Sequence, residues 1–147
     1  MTDRPEPGGL RDFGTPPTID ELAEIAHRVF AALPVAFTAP CQGLAIRVLD
    51  FPEDETLAEM GIDSPFDLAG LYRGAPLTQK GAGDFAQVLD MVFLYRRPLL
   101  DWWVEEETEL EDLVRHVLIH EIGHHFGFSD ADMERIESEA DGSPTRG

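Results

Sequence analysis

The sequence predicts a single domain that contains both helices and strands. Its length of 147 residues suits one domain, and 43% of the residues are hydrophobic, which is enough for a core. Apolar residues repeat at helical spacing in several segments, and short aliphatic runs typical of strands lie between them. We expect the domain to span residues 18–140, with disordered tails at 1–17 and 141–147.

The first helix is expected to begin after Thr18, a favourable N-cap residue. Glu21 lies three residues later and completes a capping box, in which each side chain bonds the other residue's backbone N–H. Apolar residues then recur at helical spacing until Pro34 ends the pattern.

Three short strands are predicted over residues 44–49, 69–74 and 88–96, where β-branched, aliphatic and aromatic residues are frequent. A short helix over 52–60, closed by a glycine, is expected between the first two strands. Residues 75–86 contain one proline and two glycines and are expected to form a flexible excursion on the surface.

Two further helices are predicted after the third strand. A short one runs over 98–103 and begins at a proline, which is favourable in a first turn. A long one runs over about 108–126, where Thr108 and Glu111 have the spacing of a second capping box.

The long helix carries the sequence His120-Glu121-Ile122-Gly123-His124, an H-E-x-x-H motif. Each residue of an α-helix turns by about 100°, so the two histidines project from one face and both imidazoles can reach one metal ion. The glutamate lies about 100° around the helix from the first histidine. That offset suits a carboxylate that accepts a proton from a water molecule and does not bind the metal.

A third metal ligand is expected after the helix. Gly127 can take the left-handed conformation that ends a helix and reverses the chain, which gives Asp130 a route to the metal. Three protein ligands and one open position are typical of catalytic zinc sites, so we expect one Zn²⁺ per chain. Ser129 is expected to cap a final short helix, and Asp132 is the rival third ligand.

Other side chains near the motif have more than one interpretation. His116 lies one turn before the motif, and it either lines the cleft, bonds a ligand of the metal, or is a buried histidine bonded to a backbone carbonyl. Tyr72 and Tyr95 either donate to a developing oxyanion or pack within strands. His125 points about 100° away from the second histidine of the motif and is a poor ligand.

The charge and the cysteine content exclude several classes of function. Asp and Glu number 29 against 11 Lys and Arg, and the formal charge is −18. Such a surface repels nucleic acids and anionic membranes, and it attracts cationic partners. Cys41 is the only cysteine, so no intrachain disulfide can form. The N-terminal residues hold no apolar signal segment, and we expect a cytoplasmic protein without a membrane span.

These residues resemble those of the minimal zincins, the Zincin-like metallopeptidases of small bacterial proteins. The resemblance covers about residues 21–136. It is carried by residues 71–74, 76–78 and 95–96, and above all by 114–130 with the motif.

The resemblance implies an α+β fold in which a small mixed sheet of three to four strands packs on an N-terminal helix and on the active-site helix. It assigns His120 and His124 as ligands, Asp130 as the third ligand and Glu121 as the general base. The implied activity is zinc-dependent hydrolysis of a peptide bond in a peptide or protein substrate.

Two other classes of function stay open. A metal-stabilised module that binds a peptide or protein with little or no turnover is favoured by the small size of the chain, whereas Glu121 favours an enzyme, because a purely structural site has no use for it. A mononuclear iron oxygenase also uses two histidines and a carboxylate. The glutamate between the histidines makes that third class the weakest.

Overall fold

The computed structural model describes residues 14–41, 43–74 and 90–140. Over these residues the chain forms six α-helices and three strands. The helices are α1 (Ile19–Ala31), α2 (Val35–Thr38), α3 (Asp54–Met60), α4 (Arg96–Glu106), α5 (Leu110–Phe126) and α6 (Asp130–Ala140). The strands are β1 (Ala45–Leu49), β2 (Gly70–Arg73) and β3 (Met91–Tyr95). Two short 3-10 helices cover Ala39–Cys41 and Pro65–Asp67.

The three strands form one mixed sheet in the order β1-β3-β2. β1 is parallel to β3, with Ile46 opposite Val92, and β2 is antiparallel to β3, with Tyr72 opposite the same Val92. β2 is therefore an edge strand in the described part of the chain. This small mixed sheet with flanking helices confirms the α+β fold class.

Each face of the sheet covers its own hydrophobic cluster, because successive side chains of a strand point to opposite faces. The inner core lies between the sheet and the helices α1 and α5, and its members from the sheet are Ile46, Val48, Val92 and Leu94. The outer cluster lies on the other face, where Leu57 of α3 packs with Leu68, Leu71 and Tyr95. The inner core is the larger of the two, and it fixes the position of α5 beneath the sheet.

The predicted start of α1 is confirmed in detail. Glu21 N–H donates to Thr18 Oγ1 at 3.1 Å, and Thr18 N–H donates to Glu21 Oε1 at 2.9 Å. The preceding residue is also held, because Arg96 Nε donates to the Pro17 carbonyl oxygen at 2.6 Å. Of the tails predicted at 1–17 and 141–147, residues 1–13 and 141–147 lie outside the described residues.

Most element boundaries fall within a few residues of those predicted. Gly61 closes α3 with a φ of +70°, as expected of a C-terminal glycine. α4 is longer than predicted at both ends, starting at Arg96 and continuing to Glu106. The surface excursion predicted over 75–86 lies outside the described residues.

The predicted capping box at the start of α5 is wrong. The helix begins at Leu110, its N-cap residue is Glu109, and no side chain bonds the cap. A tertiary contact engages one of the predicted partners, because Arg28 of α1 donates to Glu111 Oε1 at 3.1 Å; Trp103 Nε1 donates to the Thr108 carbonyl at 2.7 Å, a group that the cap does not use.

No single helix in the described ranges is both long enough and apolar enough to cross a membrane. The helical segments Ile19–Ala31 and Val35–Cys41 meet the length and composition criteria only when joined, and they are bent by 110°.

Candidate active site

Helix α5 carries the motif, and it packs against α1, β2 and α6. Its buried face contributes Val114, Val117, Leu118 and Ile122 to the inner core. The helix ends at Gly127 with a φ of +81°, and the next residue, Phe128, donates its N–H to the Gly123 carbonyl at 2.8 Å. The predicted left-handed glycine at the end of the motif helix is therefore confirmed.

Strand β2 lies unusually close to α5, and Gly70 permits this approach. A β-carbon at Gly70 would lie 2.7 Å from Val117 Cγ1 and 3.4 Å from Glu121 Cγ. Real side-chain contacts are not as short as the first of these distances, so a larger residue would push the strand away from the helix. The lack of a β-carbon at Gly70 thus allows the edge strand to lie directly over Glu121.

The Glu121 carboxylate is partly buried beneath β2 and accepts a hydrogen bond from the backbone N–H of Tyr72. In the antiparallel ladder, Tyr95 N–H bonds the Ala69 carbonyl, and the bonding direction alternates along the strand. The N–H of Tyr72 consequently points away from β3, toward the open edge. Burial raises the pKa of Glu121, while the charge of nearby His124 and the bond from Tyr72 lower it. A carboxyl with a raised pKa and a fixed position is suited to accept a proton.

The side chain of Tyr72 is held apart from the motif. Its hydroxyl donates to Asp90 Oδ2 at 2.9 Å, and its ring stacks on His125 with centroids 3.9 Å apart. Burial is the main cause that raises the pKa of Tyr72, and Asp90 adds to it. His125 is therefore engaged by a strand residue, in agreement with its predicted unsuitability as a ligand. Tyr95 is buried in the outer cluster, where packing accounts for it.

Three histidines follow one another along the face of α5 that is turned toward α4 and α6. The ring centroids of His116 and His120 are 4.1 Å apart, and those of His120 and His124 are 5.8 Å apart. His116 Nδ1 lies at hydrogen-bond distance, 2.9 Å, from Oε2 of Glu137. The partner of His116 is thus a carboxylate from α6, and the backbone-carbonyl interpretation is wrong.

The Nε2 atom of His120 is buried and has no hydrogen-bond partner among the residues that the structure describes. The nearest acceptor is Glu137 Oε1 at 3.5 Å, beyond the usual range of 2.7 to about 3.2 Å. Burial is the main cause that lowers the pKa of His120, and the neighbouring His116 lowers it further, while the nearby Glu137 carboxylate raises it. The net shift favours the neutral ring, which is the form that binds a metal ion.

The side chains of this region fit a zinc ion. His116, His120 and Glu137 each offer one donor atom, and these three atoms all lie within 4.8 Å of one another. Imidazole nitrogen and carboxylate oxygen are common zinc ligands. A buried ring nitrogen that makes no hydrogen bond is available to bind an ion.

The predicted set of ligands is brought together only in part. His120 and His124 project from one face, as their spacing predicts. Asp130 is the first residue of α6 and is exposed, as is His124. Within the described ranges, neither of them belongs to a group of three donors within 4.8 Å. The assignment of His120, His124 and Asp130 as the zinc ligands stays a prediction, as does the catalytic role of Glu121.

Asp132, the rival third ligand, has another role in the structure. Its N–H donates to Ser129 Oγ at 3.1 Å, and its carboxylate accepts from Ser129 N–H at 3.4 Å. The same carboxylate accepts from Arg135 at 2.9 Å, which is the main cause that lowers the pKa of Asp132. The predicted cap of α6 is therefore present, and it occupies the Asp132 side chain.

Sequence reasoning missed Glu137. The available signal is the helical spacing of α6, in which Met133 and Ile136 are buried and Glu137 follows on the same side. Where the apolar stripe of a short helix packs against another helix, a carboxylate beside that stripe faces the same helix.

Gly123 was also overlooked. A β-carbon there would overlap Met133, so the glycine inside the motif lets α6 approach α5.

Comparison with known proteins identifies the family. A search among curated proteins found no match. The family model described as Zincin-like metallopeptidase matches residues 41–140, a range that includes all three strands and the helices α5 and α6. Because this match covers more than half of the 147 residues and contains the motif, the chain belongs to the Zincin-like metallopeptidase family.

Proposed function

We propose that the protein is a zinc-dependent peptidase in which His120, His124 and Asp130 bind the ion and Glu121 is the general base. The observation that carries this proposal is the environment of Glu121. Its carboxylate lies near His124, beneath an edge strand, and is bonded by the backbone N–H of Tyr72. Family membership supports metallopeptidase chemistry in general.

The residues of this chain would divide the chemistry among them. A bound zinc ion supplies polarisation of the scissile carbonyl and lowers the pKa of a coordinated water toward about 7. Glu121 takes the proton from the attacking water at its carboxylate and passes it to the leaving amine as the C–N bond breaks. Burial raises the pKa of Glu121 toward the pH at which this exchange has to work.

The substrate we propose is an extended peptide that pairs with the edge of β2 that no described strand covers. The backbone groups of Gly70 and the carbonyl of Tyr72 face this edge, since Ala69 and Leu71 bond to β3, while the N–H of Tyr72 bonds Glu121. Addition of a strand to an exposed edge is a common way of binding peptides. With a formal charge of −18, the protein should favour peptides that carry Lys or Arg. A cytoplasmic location is part of the proposal and agrees with a single, buried cysteine.

The central experiment separates the base from the ligands. Glu121→Gln should keep its zinc and lose about 10²- to 10⁴-fold in the hydrolysis rate of a peptide library, because only the proton acceptor is removed. His120→Ala should lose both the activity and the bound zinc. Elemental analysis after dialysis measures the zinc. His125→Ala is the matched control, since His125 adjoins the motif but stacks on Tyr72.

Two results would contradict this proposal. Loss of zinc from Glu121→Gln would make Glu121 a ligand. Binding of both zinc and peptides by the wild-type protein without cleavage would favour the alternative, a metal-stabilised binding module.

The third ligand requires its own comparison. Asp130→Ala should weaken zinc binding substantially and leave the fold intact, because the side chain is exposed. Asp132→Asn should bind zinc as the wild type does, since its carboxylate serves the cap of α6. An unchanged hydrolysis rate in zinc-loaded Asp130→Ala would exclude Asp130 as a ligand of the catalytic ion.

A further inference from the structure

A second group of donors lies on the α6 side of α5, and it shares one residue with the ligand set proposed above. His116 and His120 are one helical turn apart, and Glu137 of α6 faces both. The two oxygens of Glu137 are divided between them: Oε2 lies 2.9 Å from His116 Nδ1, and Oε1 lies 3.5 Å from His120 Nε2.

The distances suit a tetrahedral metal ion. Two donor atoms that are each about 2.1 Å from one zinc ion lie about 3.4 Å apart. The 3.5 Å between His120 Nε2 and Glu137 Oε1 is too long for a hydrogen bond and matches that separation. The 2.9 Å pair would have to open by about 0.5 Å, and the proton at His116 Nδ1 would have to move to Nε2, which leaves Nδ1 free to bind the ion.

Two of the three donors are partly exposed to solvent, with side-chain exposures of 38% for His116 and 28% for Glu137. Glu137 lines a cavity of about 400 Å³ between α5 and α6, together with Asp112, Arg115, Glu134 and Ser138. Three of these five side chains are carboxylates, so the local charge attracts a divalent cation.

We propose that His116, His120 and Glu137 form a second position for a transition-metal ion, which is an alternative to the position at His120, His124 and Asp130. One Nε2 lone pair cannot bind two ions at once. The chain therefore holds one ion at a time, and His120 belongs to both positions. An ion held by Glu137 lies on the α6 side of the helix, away from the carboxylate of Glu121 beneath β2.

The test uses metal binding and does not depend on peptide hydrolysis. In the double variant His124→Ala with Asp130→Ala, only the second position keeps its full set of donors. This variant, titrated with Co²⁺ and followed by visible absorption and equilibrium dialysis, should bind one ion per chain. Both substituted side chains are exposed, and circular dichroism checks that the fold persists.

Adding His116→Ala or Glu137→Gln to the double variant should weaken Co²⁺ binding by about tenfold or more. Glu134→Gln is the matched control, because Glu134 lines the same cavity one turn earlier on α6 and is not in the donor group. It should leave the affinity within about twofold of the double variant, as expected for a surface charge.

Two results would overturn the proposal: a folded double variant that binds no Co²⁺, or a Co²⁺ affinity that Glu137→Gln and Glu134→Gln reduce equally. Either result leaves the peptidase proposal standing, since that proposal depends on Glu121 and on the effect of Asp130→Ala in the otherwise unchanged chain. Conversely, retained hydrolysis in Glu121→Gln would end the peptidase proposal without affecting the second position.

Discussion

The two sides of helix α5 differ in how their polar side chains are satisfied. Toward the sheet, the Glu121 carboxylate accepts a hydrogen bond from the backbone of β2. Toward α6, the Nε2 atom of His120 is buried without a hydrogen bond and lies 3.5 Å from Glu137. On the β2 side, the carboxylate has a hydrogen-bond partner in the protein. On the α6 side, the ring nitrogen of His120 has none among the described residues.

The difference separates the two parts of the proposed chemistry. The base is positioned by backbone, which moves little, whereas the ligands are positioned by side chains on two helices. A buried polar atom without a partner costs about 1–3 kcal/mol. Binding of an ion to His120 would recover that free energy, so the α6 side should depend on metal more strongly than the β2 side.

The largest expected effect is therefore stabilisation by metal. Zinc at about 1,000 times its dissociation constant should add about 4 kcal/mol to the free energy of unfolding, because it binds the folded state. Thermal unfolding with zinc and with a chelator measures the difference. His120→Ala should abolish it, since both proposed ion positions need this residue. An equal zinc effect in that variant would place the ion elsewhere in the protein.

On the β2 side, the close approach at Gly70 can be disturbed. Gly70→Ala should destabilise the protein by about 1–3 kcal/mol, because the new β-carbon would lie 2.7 Å from the branched side chain of Val117. Urea unfolding measures the loss. Adding Val117→Ala removes the obstructing methyl groups, so the double variant should lose less than the sum of the two single changes. Strict additivity would mean that the two residues do not meet.

The caps of α1 and α6 allow a matched comparison, since each helix begins with a reciprocal pair of bonds. Thr18→Ala and Ser129→Ala should each lower the free energy of unfolding by about 1 kcal/mol. Only Ser129→Ala should also weaken zinc binding, because α6 carries Asp130 and Glu137. Isothermal titration with zinc distinguishes them, and a similar loss of affinity in Thr18→Ala would point to a general loss of stability.

The features that could be predicted from the sequence are those that depend on residues close together along the chain. The shared face of His120 and His124, the left-handed Gly127 and the cap formed by Ser129 and Asp132 all involve residues within four positions of each other. Helix geometry and side-chain capping determine such features locally.

What could not be predicted depends on packing between distant segments. Glu137 meets His116 from 21 residues away, and this contact requires α6 to fold back along α5. The predicted cap at Thr108 failed for the same reason, because Arg28, 83 residues from Glu111, takes the carboxylate that the cap would need. Spacing along α6 shows which side of the helix carries Glu137, but it does not show which distant segment that side contacts.

The smallest expected effect concerns Gly123, where the α6 side again differs from the β2 side. A β-carbon at Gly123 would overlap the Sδ atom of Met133, yet that atom ends a flexible, unbranched side chain. Alanine also stabilises a helix interior by about 1 kcal/mol relative to glycine. The two terms oppose each other, so Gly123→Ala should change the free energy of unfolding by less than about 1 kcal/mol, well below Gly70→Ala. If α6 moves instead of Met133, the distance from Glu137 to His120 grows and zinc affinity falls while stability is kept. A loss of stability as large as that of Gly70→Ala would show that α6 is held as rigidly as the edge strand.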